Sequence, residues 1–395
     1  MTAVNANIAA PRVLQVGGGS IRMIAEILGK FGLSRPLVVT DPFMVSSRHV
    51  NHCLDPLAAA GIAVTVFSDT VPDPTDTVIE AGVAQLASGN FDCLIGFGGG
   101  SPIDTAKAMA ILAAGGGKIR DYKVPIAADK GALPVIAVPT TAGTGSECTR
   151  FTVITDTEHD EKMLIAGLGA LPLAAIVDYE LTYSVPARTT ADTGVDSLTH
   201  ALEAFVSKRA NPFSDALAVS AMALIGRHIR AAYAEPRNAQ AREGMMLGAT
   251  QAGLAFSNAS VALVHGMSRP IGAHFHVPHG LSNAMLLPAV TRFSISGAEG
   301  RYAEASRRIG FSDQRDGDGT AAAKLVAGLE ALNKDLSVPS PAEYGIDEAV
   351  WNGKLELMAG QALASGSPGN NPRVPDMAEI VLLYREVWTG AARNV

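Results

Sequence analysis

Asp196 and His200 stand four positions apart in GVDSLTHALEAF, a segment whose apolar spacing predicts a helix, and VHGMSRPIGAHFHVPHG further on holds His265, His274, His276 and His279. Residues at i and i+4 project from the same helix face, so Asp196 and His200 can close on one ion without bending the backbone. With His265 and His279 they make one carboxylate and three imidazoles, a complete ligand set for a borderline divalent cation such as Fe²⁺ or Zn²⁺. A single His on a half-apolar helix is ordinarily a satisfied core or surface residue, and an Asp at i−4 its intrahelical partner. Four imidazoles between positions 265 and 279 are harder to attribute to packing.

A second chemistry is written earlier in the chain. DCLIGFGGGSPIDTAKAMA reads as a strand ending in Gly98, Gly99 and Gly100, followed by a helix with Ser101 as N-cap, Pro102 in the first turn and Asp104 three residues after the cap. Glycines let an anion approach the backbone, and a helix start supplies unpaired N–H groups and a favourable dipole, which suits a pyrophosphate. The same composition also serves a turn that binds nothing. Gly17 to Gly19 follow the first strand and Asp41 ends the next one, about 20 residues on, which approximates a dinucleotide fingerprint without its full G-x-G-x-x-G. Spacing alone leaves open which glycine cluster holds phosphates. Asp41 is placed to accept from an adenosine ribose hydroxyl and to repel a 2′-phosphate, favouring NAD over NADP, while a plain Asp41-Pro42 turn is the alternative. PTTAGTGSE, Pro139 to Glu147, adds hydroxyls and free amides after another buried strand.

The elements that must position these residues follow a rhythm. RVLQV, PLVVT, IAVTVF, DCLIGF and PVIAVP read as strands alternating with helical stretches, so βαβ units and a largely parallel sheet are expected. After Pro186 strand-like runs give way to helical patterns such as SDALAVSAMALIGRHI and AREGMMLGATQAGLAF. The expected architecture is an α/β dinucleotide-binding, Rossmann-like domain over residues 1–186 and an all-helical metal-binding and catalytic domain over 187–395. A calcium loop starting at Asp313 is rejected, because its twelfth position is Lys324 where a bidentate Glu is needed.

Bulk composition excludes other classes. The 395 residues are 48% hydrophobic and 17% charged, with mean hydropathy +0.21, yet no apolar run approaches the roughly 20 residues of a membrane span. The net charge of −7 comes without a basic run, which argues against a nucleic-acid partner and for small molecules. Cys53, Cys93 and Cys148 are odd in number and far apart, so buried thiols in a reducing compartment are expected. MTAVNANIAAPR shows no signal-peptide pattern, and cytoplasmic residence is the expectation. The Ala- and Gly-rich apolar faces suit self-association as a homodimer or larger homo-oligomer.

Taken in order, the Gly98–Ser101 turn with Pro102 and Asp104, PTTAGTGSE, Asp196 with His200, and HGMSRP followed by PHG resemble the iron-containing (group III) alcohol dehydrogenase family over nearly the whole chain. The resemblance implies a dinucleotide-binding domain, a helical metal-binding domain and a cleft between them. It implies that Asp196, His200, His265 and His279 ligate Fe²⁺ or, in some members, Zn²⁺. By the same carry-over Asp41 meets the adenosine ribose, Gly98, Gly99, Gly100 and Ser101 hold the pyrophosphate, and Thr140, Thr141 and Thr144 line the cofactor. Asp104 is counted with this set, and Lys162 and Leu181 fall where similar proteins contact the nucleotide.

Two departures stand out. Arg269 occupies a position where relatives commonly have His, near the metal and treated as a proton-relay site, and Asp73 stands where they commonly have Asn. Arg269, His274 and His276 are therefore the candidates for the substrate side, with His276 the replacement relay and Arg269 able to hold a substrate carboxylate. The implied function is NAD(H)-linked interconversion of a small primary alcohol, diol or hydroxyacid and its aldehyde by hydride transfer in that cleft. The alternatives are a non-redox NAD- and metal-dependent lyase similar to dehydroquinate synthase, and a metal-binding or assembly protein without turnover.

Overall fold

The computed structural model describes residues 5–159 and 161–388. They form two compact units, Asn7–Val185 and Pro186 onward, with residues 5 and 6 grouping with the second rather than the first.

In the first unit the strands are β1 (Val13–Val16), β2 (Pro36–Val39), β3 (Thr65–Phe67), β4 (Cys93–Gly98), β5 (Val135–Pro139), β6 (Phe151–Asp156), β7 (Glu161–Ala166) and β8 (Ala174–Val177). Six of them make a sheet in the order β1-β8-β5-β4-β2-β3, and every neighbouring pair is parallel. All six residues of β4 are buried, as a strand covered on both faces requires. Leu94 packs into a core with Ile79, Leu86 and Met109, whereas Ile95 and Phe97 point into another with Ile24, Leu28 and Leu57. Helices therefore cover each side of the sheet. Two features escaped the sequence patterns. β8 is the short, alanine-rich AAIV, and β6 with β7 form an antiparallel hairpin whose alternating burial marks a half-exposed ribbon.

The second unit is helical among the described residues. Ala187–Val206 carries Asp196 and His200; it is followed by Pro212–Ala234, started by the Asn211–Ser214 capping box, and by Ala239–Asn258, capped by Asn238. Leu263–Phe275 carries His265, and His279–Ser294 opens on His279 itself. Helix His279–Ser294 can approach helix Ala187–Val206 because position 280 is glycine. A Cβ there would lie 2.4 Å from the Asp192 carbonyl oxygen, one turn ahead of Asp196.

Candidate functional site

Helix periodicity and this close approach bring four nitrogen and oxygen donors together inside the helical unit. Asp196 Oδ1 is 3.4 Å from His265 Nε2 and 3.8 Å from both His200 Nε2 and His279 Nε2. Three of the side chains are buried, while His279 is 43% exposed and leaves the cluster open on its side. Burial alone would raise the Asp196 carboxyl, but the three imidazoles hold it well below the usual carboxylate range.

Two residues that pattern reading missed organise this set. Glu203, one helical turn beyond His200, is 3% exposed and accepts from the amides of Ala262 and Val264 at 2.8 and 2.6 Å. Its carboxylate also accepts from His265 Nδ1–H at 2.7 Å, which directs Nε2 toward Asp196. Burial disfavours a charged His265, but Glu203 and Asp196 outweigh it and lift the imidazole to about 9. Asn283 is fully buried, and its Nδ2 donates to Asp196 Oδ1 at 2.7 Å and faces His265 Nε2 and His279 Nε2 at 3.2 Å each. An amide nitrogen with two hydrogens thus confronts three lone pairs, and its own Oδ1 is buried without a partner among the described residues. One carboxylate and three converging imidazoles, which give up their extra protons to a metal, fit a divalent cation. The signal in the sequence was Glu203 at i+3 from His200 and Asn283 at i+4 from His279, both on ligand-bearing helix faces.

In the α/β unit, β4 and β5 lie side by side and deliver Gly98 and Pro139 to the same sheet edge. The Thr140 amide donates to the Gly98 carbonyl at 2.9 Å, joining the glycine turn to PTTAGTGSE. Helix Gly100–Gly115 starts two residues earlier than expected, with Gly99 at the N-cap and Ser101 inside its first turn, and no side chain caps it. Position 100 has to be glycine because a Cβ would meet Thr144 Cγ2 at 2.9 Å. A helix start left with open amides beside three threonines suits an anion.

The first glycine turn already has an anion of its own. The buried Asp178 carboxylate accepts from the amides of Gly19 and Ile21 at 3.1 Å each and of Glu180 at 3.0 Å, so these donors are already spent. Asp104 also differs from expectation. Its carboxylate accepts from Ser146 Oγ at 2.5 Å and from the Val153 amide at 2.9 Å, so both oxygens engage the chain's own loop. Asp41 caps a short helix, accepting from Met44 N–H through Oδ1. Lys162 and Asp73, far apart in sequence, form an ion pair of 2.9 Å, and Asp73 adopts φ 52°. Leu181 is buried, with its carbonyl accepting from His49 Nε2 at 3.0 Å.

Residues 11–179 match the iron-containing alcohol dehydrogenase family, and residues 190–388 match the C-terminal region of the Fe-containing alcohol dehydrogenase family. The chain belongs to the iron-containing alcohol dehydrogenase family. It is 36% identical over 380 residues to the NAD-dependent methanol dehydrogenase of Bacillus methanolicus, covering 96% of this chain and 99% of that one. It is 36% identical over 381 residues to a 1,3-propanediol dehydrogenase of Klebsiella pneumoniae, covering 96% and 97%. A crystal structure of 1,3-propanediol oxidoreductase superimposes with a TM-score of 0.93 at 35% identity, covering 97% of this chain and 100% of that one. These relatives do not favour the lyase alternative.

Against this iron-dehydrogenase frame the three substrate-side candidates separate. Arg269 is half-buried, donates through Nη1 to Ser367 Oγ at 3.1 Å and feels the charge of Glu203, which partly offsets the lowering of its pKa by desolvation. His274 pairs through Nε2 with Gln361 Oε1 at 2.8 Å, an anchor to the neighbouring helix Glu348–Ala364. That contact ties His274 to the neighbouring helix through one ring nitrogen. His276 ends its helix in the left-handed region at φ 54° with its side chain exposed.

Proposed function

We propose that this chain is an NAD(H)-linked dehydrogenase that interconverts a small primary alcohol, diol or hydroxyacid and its aldehyde, with Fe²⁺ as the resident cation and Zn²⁺ the second candidate. The observation that carries this reading is the convergence of Asp196 Oδ1 with the Nε2 atoms of His200, His265 and His279. Relatives named for methanol and 1,3-propanediol support the substrate class. These four residues would hold the cation. In the α/β unit Asp41 would accept from the adenosine ribose, Gly98, Gly99, Gly100 and Ser101 would meet the pyrophosphate, and Thr140, Thr141, Thr144, Asp73, Lys162 and Leu181 would line the dinucleotide.

A cation held there supplies Lewis acidity toward an alcohol or carbonyl oxygen, and a nicotinamide supplies the hydride acceptor or donor. The chain's own part begins with Glu203, which holds the Nδ1 proton of His265 and keeps its Nε2 available. Phe256, stacked on the His200 ring at 4.2 Å, keeps water from that face. The open side at His279 leaves room for the substrate oxygen, and His276, exposed at the end of its helix, is assigned the transfer of the hydroxyl proton to solvent. Arg269 is assigned the carboxylate of a hydroxyacid substrate. We further place the protein in the cytoplasm as a homodimer or larger homo-oligomer without a nucleic-acid partner; no helix among the described residues is long and apolar enough to cross a membrane.

The test is a panel of short alcohols, diols and hydroxyacids assayed with NAD and NADP after metal stripping and reconstitution with Fe²⁺ or Zn²⁺. NADH formation restored by one of these cations is expected. Turnover that survives complete stripping, or none with any alcohol, refutes the reading.

A further inference from the structure

Lys107 is the one fully buried lysine among the described residues, and the chemistry above does not use it. It lies in helix Gly100–Gly115, two turns below the open helix start. Its Nζ is 3.0 Å from Ser146 Oγ, 3.0 Å from the Thr149 carbonyl, 3.2 Å from Thr149 Oγ1 and 2.9 Å from the Phe151 carbonyl. An ammonium with three hydrogens is thus surrounded by four acceptors, all on the segment that runs from PTTAGTGSE into β6. Ser146 Oγ accepts from Lys107 and donates to Asp104 Oδ1, so one hydroxyl bridges two buried charges on the same helix face. Asp104 reaches onward to the Val153 amide, and its carbonyl accepts from Thr152 Oγ1 at 3.0 Å. The Ser146 amide in turn donates to Thr144 Oγ1 at 3.2 Å, and Thr144 is the side chain seated against Gly100.

We propose that Lys107, Ser146 and Asp104 are positioning residues for the dinucleotide: they fasten the threonine loop to the helix whose first turn faces the pyrophosphate, and so fix the distance between the two walls of that site. This rests on the dehydrogenase reading of the same loop. Burying two charges is costly unless both are paired and hydrogen-bonded, and a hydrophobic pair would serve stability as well. What the charges add is a defined geometry, since Lys107 can meet its acceptors only with residues 146–151 in this one path. Burial pulls the ammonium down to about 8 against the opposing pull of Asp104, Cys148 and Glu147, the titratable groups that face it. Above that pH the amine keeps two hydrogens for the same four acceptors, so the fastening is complete below about 8 and weakens above it.

The experiment measures NADH affinity by fluorescence and Fe²⁺ or Zn²⁺ affinity by calorimetry on the full chain. Ser146→Ala, which deletes one hydroxyl and is the milder change, should weaken NADH binding about tenfold, the equivalent of roughly one buried hydrogen bond. Lys107→Met should weaken it further, raising the KM for NAD more than that for the alcohol and leaving cation affinity within twofold. The advantage of the natural protein over Lys107→Met should shrink as pH rises from 7 to 9.5. NADH affinity unchanged in Ser146→Ala overturns the proposal, as does a parallel loss of NADH and cation affinity in both variants, which would mark a purely structural role. Natural protein that fails to bind any dinucleotide defeats the dehydrogenase reading itself.

Discussion

Replacing Glu203 by Gln tests the organisation of the metal centre without touching a ligand. In the natural protein two carboxylate oxygens serve three donors: Oε1 takes the Val264 amide, and Oε2 takes both the Ala262 amide and His265 Nδ1–H. A glutamine has one oxygen. Placed at the Oε2 position it keeps two bonds and turns its NH₂ against the Val264 amide; placed at the other it keeps one and loses two, so the first arrangement wins. One buried amide is then left facing another donor, at a cost of about 1–3 kcal/mol. A helical unit of this size should lose about 2–10 °C in Tm. His265 would still be oriented, but by a neutral acceptor, roughly half as strong as the charged one. Loss of such an outer contact weakens metal binding about 10- to 100-fold, and because orientation survives the lower end is expected. Thermal scans of the metal-free protein and competition with a chelator read the two effects separately. A drop in Tm with cation affinity unchanged would reduce Glu203 to a helix-cap residue and refute its role in presenting the Nε2 lone pair.

Other expectations are checked more quickly. Asp178→Asn should lower Tm by several degrees, since a carboxylate serving three amides is replaced by a group with one acceptor, while cation affinity stays level; an unchanged Tm would reopen the first glycine cluster as an anion site. Burial pushes the Cys53 thiol up to about 12 and raises Cys93 as well, so a thiol reagent at pH 8 should label none of the three buried cysteines in the native protein and all three in denaturant. Arg269→His should reduce the preference for 4-hydroxybutyrate over 1-butanol, and an unaltered ratio removes the substrate carboxylate from its role. Exhaustive chelation should abolish turnover and leave NADH binding measurable; simultaneous loss of both would contradict a nucleotide site confined to the α/β unit.

Much of this molecule is local, and local features are legible in a sequence. Asp196 and His200 face the same way because a helix repeats every 3.6 residues, and β4 ends in glycines because the chain must turn tightly into a helix there. The division near Pro186 follows from the change of period. The residue types at 196, 200, 265 and 279 already specified the chemistry they could do.

Tertiary structure decided which of these groups remain free to act. The two glycine clusters looked equivalent until Asp178, 159 positions from Gly19, was found spending its carboxylate on one of them. Asp104 gained its partners Ser146 and Val153, and His274 its partner Gln361, only in the fold. Glu203 and Asn283 stand one turn from His200 and His279 in sequence, but that spacing gained meaning only when the helices placed them beside the other ligands. The physical reason is the same each time. A hydrogen bond is satisfied by whichever partner the fold brings within about 3 Å, and periodicity along the chain holds no record of partners a hundred residues away.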